Sequence, residues 1–193
     1  IDAIRNQLPE LPEAKKQRFI SDYSLSEYDA DVLTAQKELA AFFETVVKES
    51  QAKPKLCANW LMGEFSAALN REDMDINQAP ISAGDLALLI KRIDDDTISG
   101  KIAKQVFESM WQGEGTADAI IEKKGLKQMS DSEELETLVD KIIADNPDQV
   151  FQYQNNPEKQ GKLIGFFVGQ IMKASQGKAN PKQVNILLKD KLA

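Results

Sequence analysis

The chain of 193 residues has no histidine and a single cysteine, Cys57. The first absence removes the commonest general base, the usual nitrogen ligand of metals, and every Ser-His or Cys-His nucleophile pair. The second excludes an internal disulfide and any cysteine-cluster metal site. Catalysis in this chain would have to rest on carboxylates or lysines. Long apolar runs are missing too. The longest, Leu163 to Met172, is interrupted by Gln170 and falls far short of the roughly 20 residues that a membrane-spanning helix needs. No segment alternates cleanly between apolar and polar residues, as a half-buried strand would. No signal peptide is visible, and the chain opens on Ile1 rather than Met, which reads as a fragment of a longer protein.

What is present is a globular composition, with 42% hydrophobic and 28% charged residues, enough to bury a core in one or two domains. The hydrophobic period is helical throughout, which predicts an all-α fold. Pro9 and Pro12 mark residues 1–12 as an extended linker, and a short helix follows from Glu13 to Asp22. The next runs from about Thr34 to Ser50, with Leu39, Phe42, Phe43, Val46 and Val47 as its stripe. Pro54 suits the first turn of a helix reaching about Leu69, on which Cys57, Trp60, Leu61, Phe65 and Leu69 share a face. After a polar loop from Asn70 to Ala79, Ser82 and Asp85 form a capping box for a helix ending at Ile93. Ser99 caps a helix carrying Ile102, Val106 and Met110, and a short helix from Thr116 stops at Gly125.

The composition shifts there. Leu126–Met129 reads as a connector, and Asp131 or Ser132 caps an acidic helix reaching Asp145. Asn146-Pro147 and Asn156-Pro157 break the chain around a short turn at Val150–Tyr153. A glycine-bearing helix spans about Lys159 to Ser175. Asn180-Pro181 starts the last helix, with Val184, Leu187, Leu188 and Leu192 inward. The domain reading is a linker over 1–12, a helical domain over 13–125 and a small tail domain over 126–193.

Few constellations carry chemistry. Asp73, Asp75 and Asn77 mimic the first three ligands of a calcium loop, but Gln78 stands where Gly is required and Gly84 where Glu is required. Asp94-Asp95-Asp96 reads as a solvated run near a helix N-terminus, where negative charge is favoured. Cys57 and Trp111 read as core. No catalytic or metal-ligating set emerges.

Charge is the stronger signal. From residue 150 onward seven lysines face only Glu158 and Asp190, a net charge of +5; with the whole chain at −7, residues 1–149 carry −12. A positive end on a negative body suits a polyanion. Lys173 ends a ridge of Gly161, Gly165 and Gly169, Lys178 lies in the following turn, and Lys182 and Lys189 share a face of the last helix. That helix's N-terminus offers free amides, so Lys178 and Lys182 beside it predict a phosphate site. The glycines read mainly as a strip for close helix packing, with approach of a nucleic-acid backbone as the alternative.

Three stretches carry a family resemblance: Leu8-Pro9-Glu10-Leu11-Pro12-Glu13-Ala14-Lys15, Asp95-Asp96-Thr97-Ile98-Ser99-Gly100-Lys101-Ile102-Ala103-Lys104, and Val168-Gly169-Gln170-Ile171-Met172-Lys173 with Gly177-Lys178-Ala179-Asn180-Pro181. With them the whole chain resembles the B-subunit family of the bacterial aspartyl/glutamyl-tRNA amidotransferases. From about residue 45 it also resembles the module shared with free-standing YqeY-like proteins. Asp96 departs from the Gly often found before Thr97, which leaves a left-handed turn there open. The resemblance implies a C-terminal portion: a helical domain and a three-helix YqeY-like tail. It implies an absent cradle that uses ATP and magnesium to phosphorylate Glu misacylated onto tRNA, so this fragment would hold no catalytic site and no cofactor. It further implies a cytoplasmic protein whose partners are tRNA (Glu-tRNA(Gln) and Asp-tRNA(Asn)), an amidase A subunit and a small C subunit, with no membrane. Carried over by motif, Lys173, Gly177, Lys178, Asn180 and Lys182 are tRNA contacts, and the charge pattern adds Lys162 and Lys189. The competing reading is a module that docks other subunits, or a free-standing YqeY-like protein.

Overall fold

The computed structural model describes residues 10–129 and 132–192. Most of the expected linker, including Leu8 and Pro9, and the candidate cap Asp131 lie outside the described residues, as does the side chain of Ser132. The fold is all-α: the described residues contain no strand, only an isolated parallel bridge between Met129 and Ala179. Contacts gather into two units. One holds the described residues up to Asp94 with Phe107–Asp118; the other holds Asp95–Val106 with the described residues from Ala119 onward.

In the first unit, α1 (Pro12–Tyr23) opens on Pro12 itself, whose fixed φ and missing N–H suit the first turn. Next comes α2 (Glu27–Thr34), a helix absent from the expected elements. Ser26 caps it, its Oγ accepting from the Asp29 N–H at 3.1 Å. Eight residues burying only Asp29, Ala30 and Leu33 are too few to show a period. α3 (Lys37–Ser50) therefore starts three residues later than the stripe suggests, after an extended Gln36. The helix expected to run unbroken from Pro54 is instead α4 (Pro54–Trp60), a π-helical stretch (Leu61–Phe65), and α5 (Ser66–Arg71). Ser66 Oγ donates to the Leu61 carbonyl at 2.6 Å within it, a side-chain bond of the kind that disturbs a regular ladder.

α6 (Ala83–Asp94) begins at the predicted box, with the Asp85 N–H on Ser82 Oγ at 3.1 Å and the Ser82 hydroxyl on Asp85 Oδ2 at 2.6 Å. Packed rings fill the interior: Phe19 lies 5.2 Å from Phe43 and 5.3 Å from Tyr23, and Phe65 meets Trp111 edge-on at 5.8 Å. Each buried ring contributes about 1.5–3 kcal/mol. Trp111 is core, with its Nε1–H donated to Glu72 at 2.8 Å.

α7 (Gly100–Trp111) supplies residues to both units, and α8 (Ala117–Lys123) bridges the sequence between them. In the second unit, α9 (Ser132–Ala144), α10 (Pro147–Asn155), α11 (Gln160–Ala174) and α12 (Pro181–Leu192) enclose one core. Leu163, Phe167 and Ile171 enter it from α11, and Val184, Leu188 and Leu192 from α12. Both sets step by four residues, which keeps them on one face.

Candidate nucleic-acid interface

The second unit holds every candidate tRNA-contact residue, and the turn after α11 organises them. Gln176 and Gly177 are left-handed, with φ of 56° and 84°. The turn's amides satisfy the helix's last carbonyls: Gly177 N–H reaches the Met172 carbonyl at 2.8 Å and Gln176 N–H the Lys173 carbonyl at 3.1 Å. Ser99 Oγ donates to the Gly177 carbonyl at 3.0 Å and accepts the Ile102 N–H at 3.3 Å, so the predicted cap of α7 also ties down this turn. Gly177 is buried, and a Cβ on it would lie 3.4 Å from Lys101 Cδ. Its part is to shape the turn rather than to present a surface.

Asn180 caps α12. Its Oδ1 accepts the Lys182 N–H at 2.9 Å, and its carbonyl takes the Val184 N–H at 2.9 Å. Pro181 has no N–H and Asn180 takes the Lys182 amide, which reduces the free donors at this terminus. Lys178 is half-buried, and its carbonyl accepts from Met129 N–H at 2.8 Å.

The exposed lysines divide between two helices. On α11, Lys162, Gly169 and Lys173 are spaced by seven and four residues, within about 40° of one another around the axis. The core residues Leu163, Phe167 and Ile171 occupy the other side. Gly161, Gly165 and Gly169 are all exposed, and a Cβ on any of them would meet nothing within 4 Å. The glycines thus do not serve helix packing within this unit, contrary to the expectation from their spacing. A helix buries one face, and the larger apolar residues have already claimed it. On α12, Lys182 and Lys189 are exposed seven residues apart, and Ile186 between them is 60% exposed. Lys191, by contrast, pairs with Asp140 at 2.6 Å.

Two residues near this surface escaped the sequence reading. Lys101 lies along Gly177 although 76 positions separate them; only the fold brings them together. Ile186 was visible as an apolar residue four positions after Lys182, on the lysine face. The other candidates are accounted for structurally. Asp75 Oδ1 accepts from the backbone and side-chain amides of Asn77, both at 2.9 Å, capping a 3₁₀ turn at Ile76–Gln78. Asp95 Oδ1 accepts from Thr97 N–H at 2.9 Å and from its hydroxyl. Asp96 is left-handed at φ 59° without a glycine, as Asp tolerates better than most residues. Cys57 is fully buried; burial pushes its thiol above the ordinary value, against a weaker opposing contribution from Ser50. Among the described residues no group of three or more His, Cys, Asp or Glu side chains is placed to hold a metal, and no helix is long and apolar enough to cross a membrane.

Comparison with known proteins matches these features to a family. The family model described as the GatB domain covers residues 41–192. The chain is 57% identical over 192 residues to the B subunit of the aspartyl/glutamyl-tRNA(Asn/Gln) amidotransferase of Thioalkalivibrio sulfidiphilus. It is 58% identical over 193 residues to that of Ectopseudomonas mendocina and 55% to that of Coxiella burnetii. In each case all of this chain aligns with 40% of the relative, so the chain spans less than half the length of these relatives. With the family model matching most of its length, the chain belongs to the GatB domain family.

Proposed function

We propose that this chain is the tRNA-holding part of the B subunit of an aspartyl/glutamyl-tRNA(Asn/Gln) amidotransferase. It positions misacylated tRNA for transamidation and carries no catalytic site itself. The observation that carries the reading is the exposed face of α11, where Gly165 and Gly169 lie open beside Lys162 and Lys173. Bare backbone lets a bulky sugar-phosphate chain approach closely, and lysines at both ends supply the charge that draws it there. Lys182 and Lys189 on α12 add a second basic face, while Gly177 and Asn180 hold the turn that separates the two helices.

The family resemblance implies that the amidase and small subunits, and the ATP and magnesium chemistry, belong to other parts of the complex. Here the carboxylates at Asp75 and Asp95 serve their own backbone. A flat glycine strip also suits a partner helix, so the experiment must separate the two occupants. Reversing Lys173, Lys178 and Lys182 to Glu should abolish tRNA binding in a filter or anisotropy assay while leaving the circular dichroism unchanged. Retained affinity in that variant would overturn the assignment of the surface. Loss of subunit assembly with tRNA binding intact would favour the protein-docking reading.

A further inference from the structure

We propose that a cavity in the second unit, between the connector, α9 and the end of α11, receives a single unstacked nucleotide whose phosphate is held by Lys127, Lys141 and Lys178. The inference rests on the tRNA-binding reading and deepens it. The cavity measures about 810 Å³, within the range of small-ligand sites and ample for one nucleotide.

Its wall on α9 is a continuous face. Glu134, Thr137, Leu138 and Lys141 follow one another at spacings of three, one and three residues, the pattern that places side chains on one side of a helix. The opposite side of α9 buries Leu135 and Val139 in the core, which fixes this face outward. Gln128 and Met129 come from the connector, and Ala174 to Gln176 with Lys178 from the turn after α11. The Met129–Ala179 bridge and the Met129 N–H to Lys178 carbonyl bond lock the connector to that turn. Three separate stretches of chain thus build one preformed concavity.

The lining chemistry selects the ligand. Lys127, Lys141 and Lys178 make no ion pair among the described residues, whereas nearby Asp140 is already taken by Lys191. Glu134 is the single acid in the lining, against three lysines. The helix-end carbonyls that would repel an anion are occupied: those of Ile171, Met172 and Lys173 accept N–H groups of the turn. Leu138, Met129 and Ala174 supply an apolar floor for a base, and Gln128, Thr137 and Gln176 supply donors and acceptors for its edge. A base-paired helix cannot enter a concavity of this kind; a nucleotide splayed from a loop can, because its base is free to leave the stack.

The test uses the whole chain, a tRNA, an uninterrupted RNA duplex and adenosine or uridine monophosphate. Thr137→Trp fills the cavity from an exposed helix position without altering any charge, and Lys127→Ala with Lys141→Ala removes the phosphate contacts. We expect Thr137→Trp to weaken tRNA binding at least five-fold and leave duplex binding unchanged. We also expect the mononucleotides to shift the NMR amide resonances of residues 125–141 in the wild type but not in this variant. If wild-type chain fails to bind tRNA yet shows those mononucleotide shifts, the pocket stands as a free-nucleotide site and the tRNA reading falls. A folded Thr137→Trp chain with unchanged tRNA affinity, an equal loss toward duplex, or no mononucleotide shifts in the wild type would overturn the proposal.

Discussion

Glycine plays opposite parts at Gly177 and at the Gly165–Gly169 pair a short way before it. At Gly177 the backbone sits at φ 84°, and it is this conformation that requires glycine, since Lys101 and Ile102 lie at ordinary contact distance from the site of a missing Cβ. At Gly165 and Gly169 the helix is regular and the surroundings are open; there glycine only adds freedom to the unfolded chain and weakens the helix. Gly177→Ala should therefore destabilise the protein by about 1–2 kcal/mol. Gly165→Ala and Gly169→Ala should each stabilise it by about 0.5–1 kcal/mol. Urea unfolding followed by circular dichroism measures both. Stabilisation by the second pair would show that folding does not require these glycines, which leaves them free to serve close backbone approach.

Among the elements, the capping residues tie the second unit together. Ser99 accepts from Ile102 N–H and donates to the Gly177 carbonyl, so Ser99→Ala loses a cap and leaves a turn carbonyl without its partner. The expected cost is about 1–2 kcal/mol. Faster hydrogen exchange at Gly177 and Ala179, compared with an Ala substitution at an exposed helix position, would distinguish this tie from a general loss of stability. Ser99 and the box at Ser82 and Asp85 were legible in the sequence, because caps depend on residue type at short fixed spacing. α2 was not, since eight residues hold too little of a period. The π stretch at Leu61–Phe65 was not either; its apolar positions fit an ordinary helix equally well. The orientation of the glycine row was readable in principle. Leu163, Phe167 and Ile171 already occupied the inward face, but small residues at a four-residue spacing suggested packing first. Lys101 beside Gly177, and the lysines converging on one cavity, depend on pairings across the fold that no local pattern encodes.

For the whole molecule the governing quantity is the segregation of charge: −12 over the first 149 residues and +5 over the remainder. Net charge alone would repel RNA, so any attraction must come from local contacts, and its salt dependence should count those contacts rather than report the overall charge. If Lys162, Lys173, Lys182 and Lys189 each neutralise one phosphate, log Kd for tRNA should rise with log[salt] at a slope of about 2.8 to 3.6, from roughly 0.7–0.9 per phosphate. Each single Lys→Ala change among the four should lower that slope by about 0.7–0.9. Neutralising Glu38 and Glu49 in the first unit should behave differently. It should act through net charge alone and tighten binding most at low ionic strength, where repulsion is least screened. A slope unchanged by the lysine substitutions would overturn their assignment as phosphate contacts, and would show that the basic end is a solvated appendage.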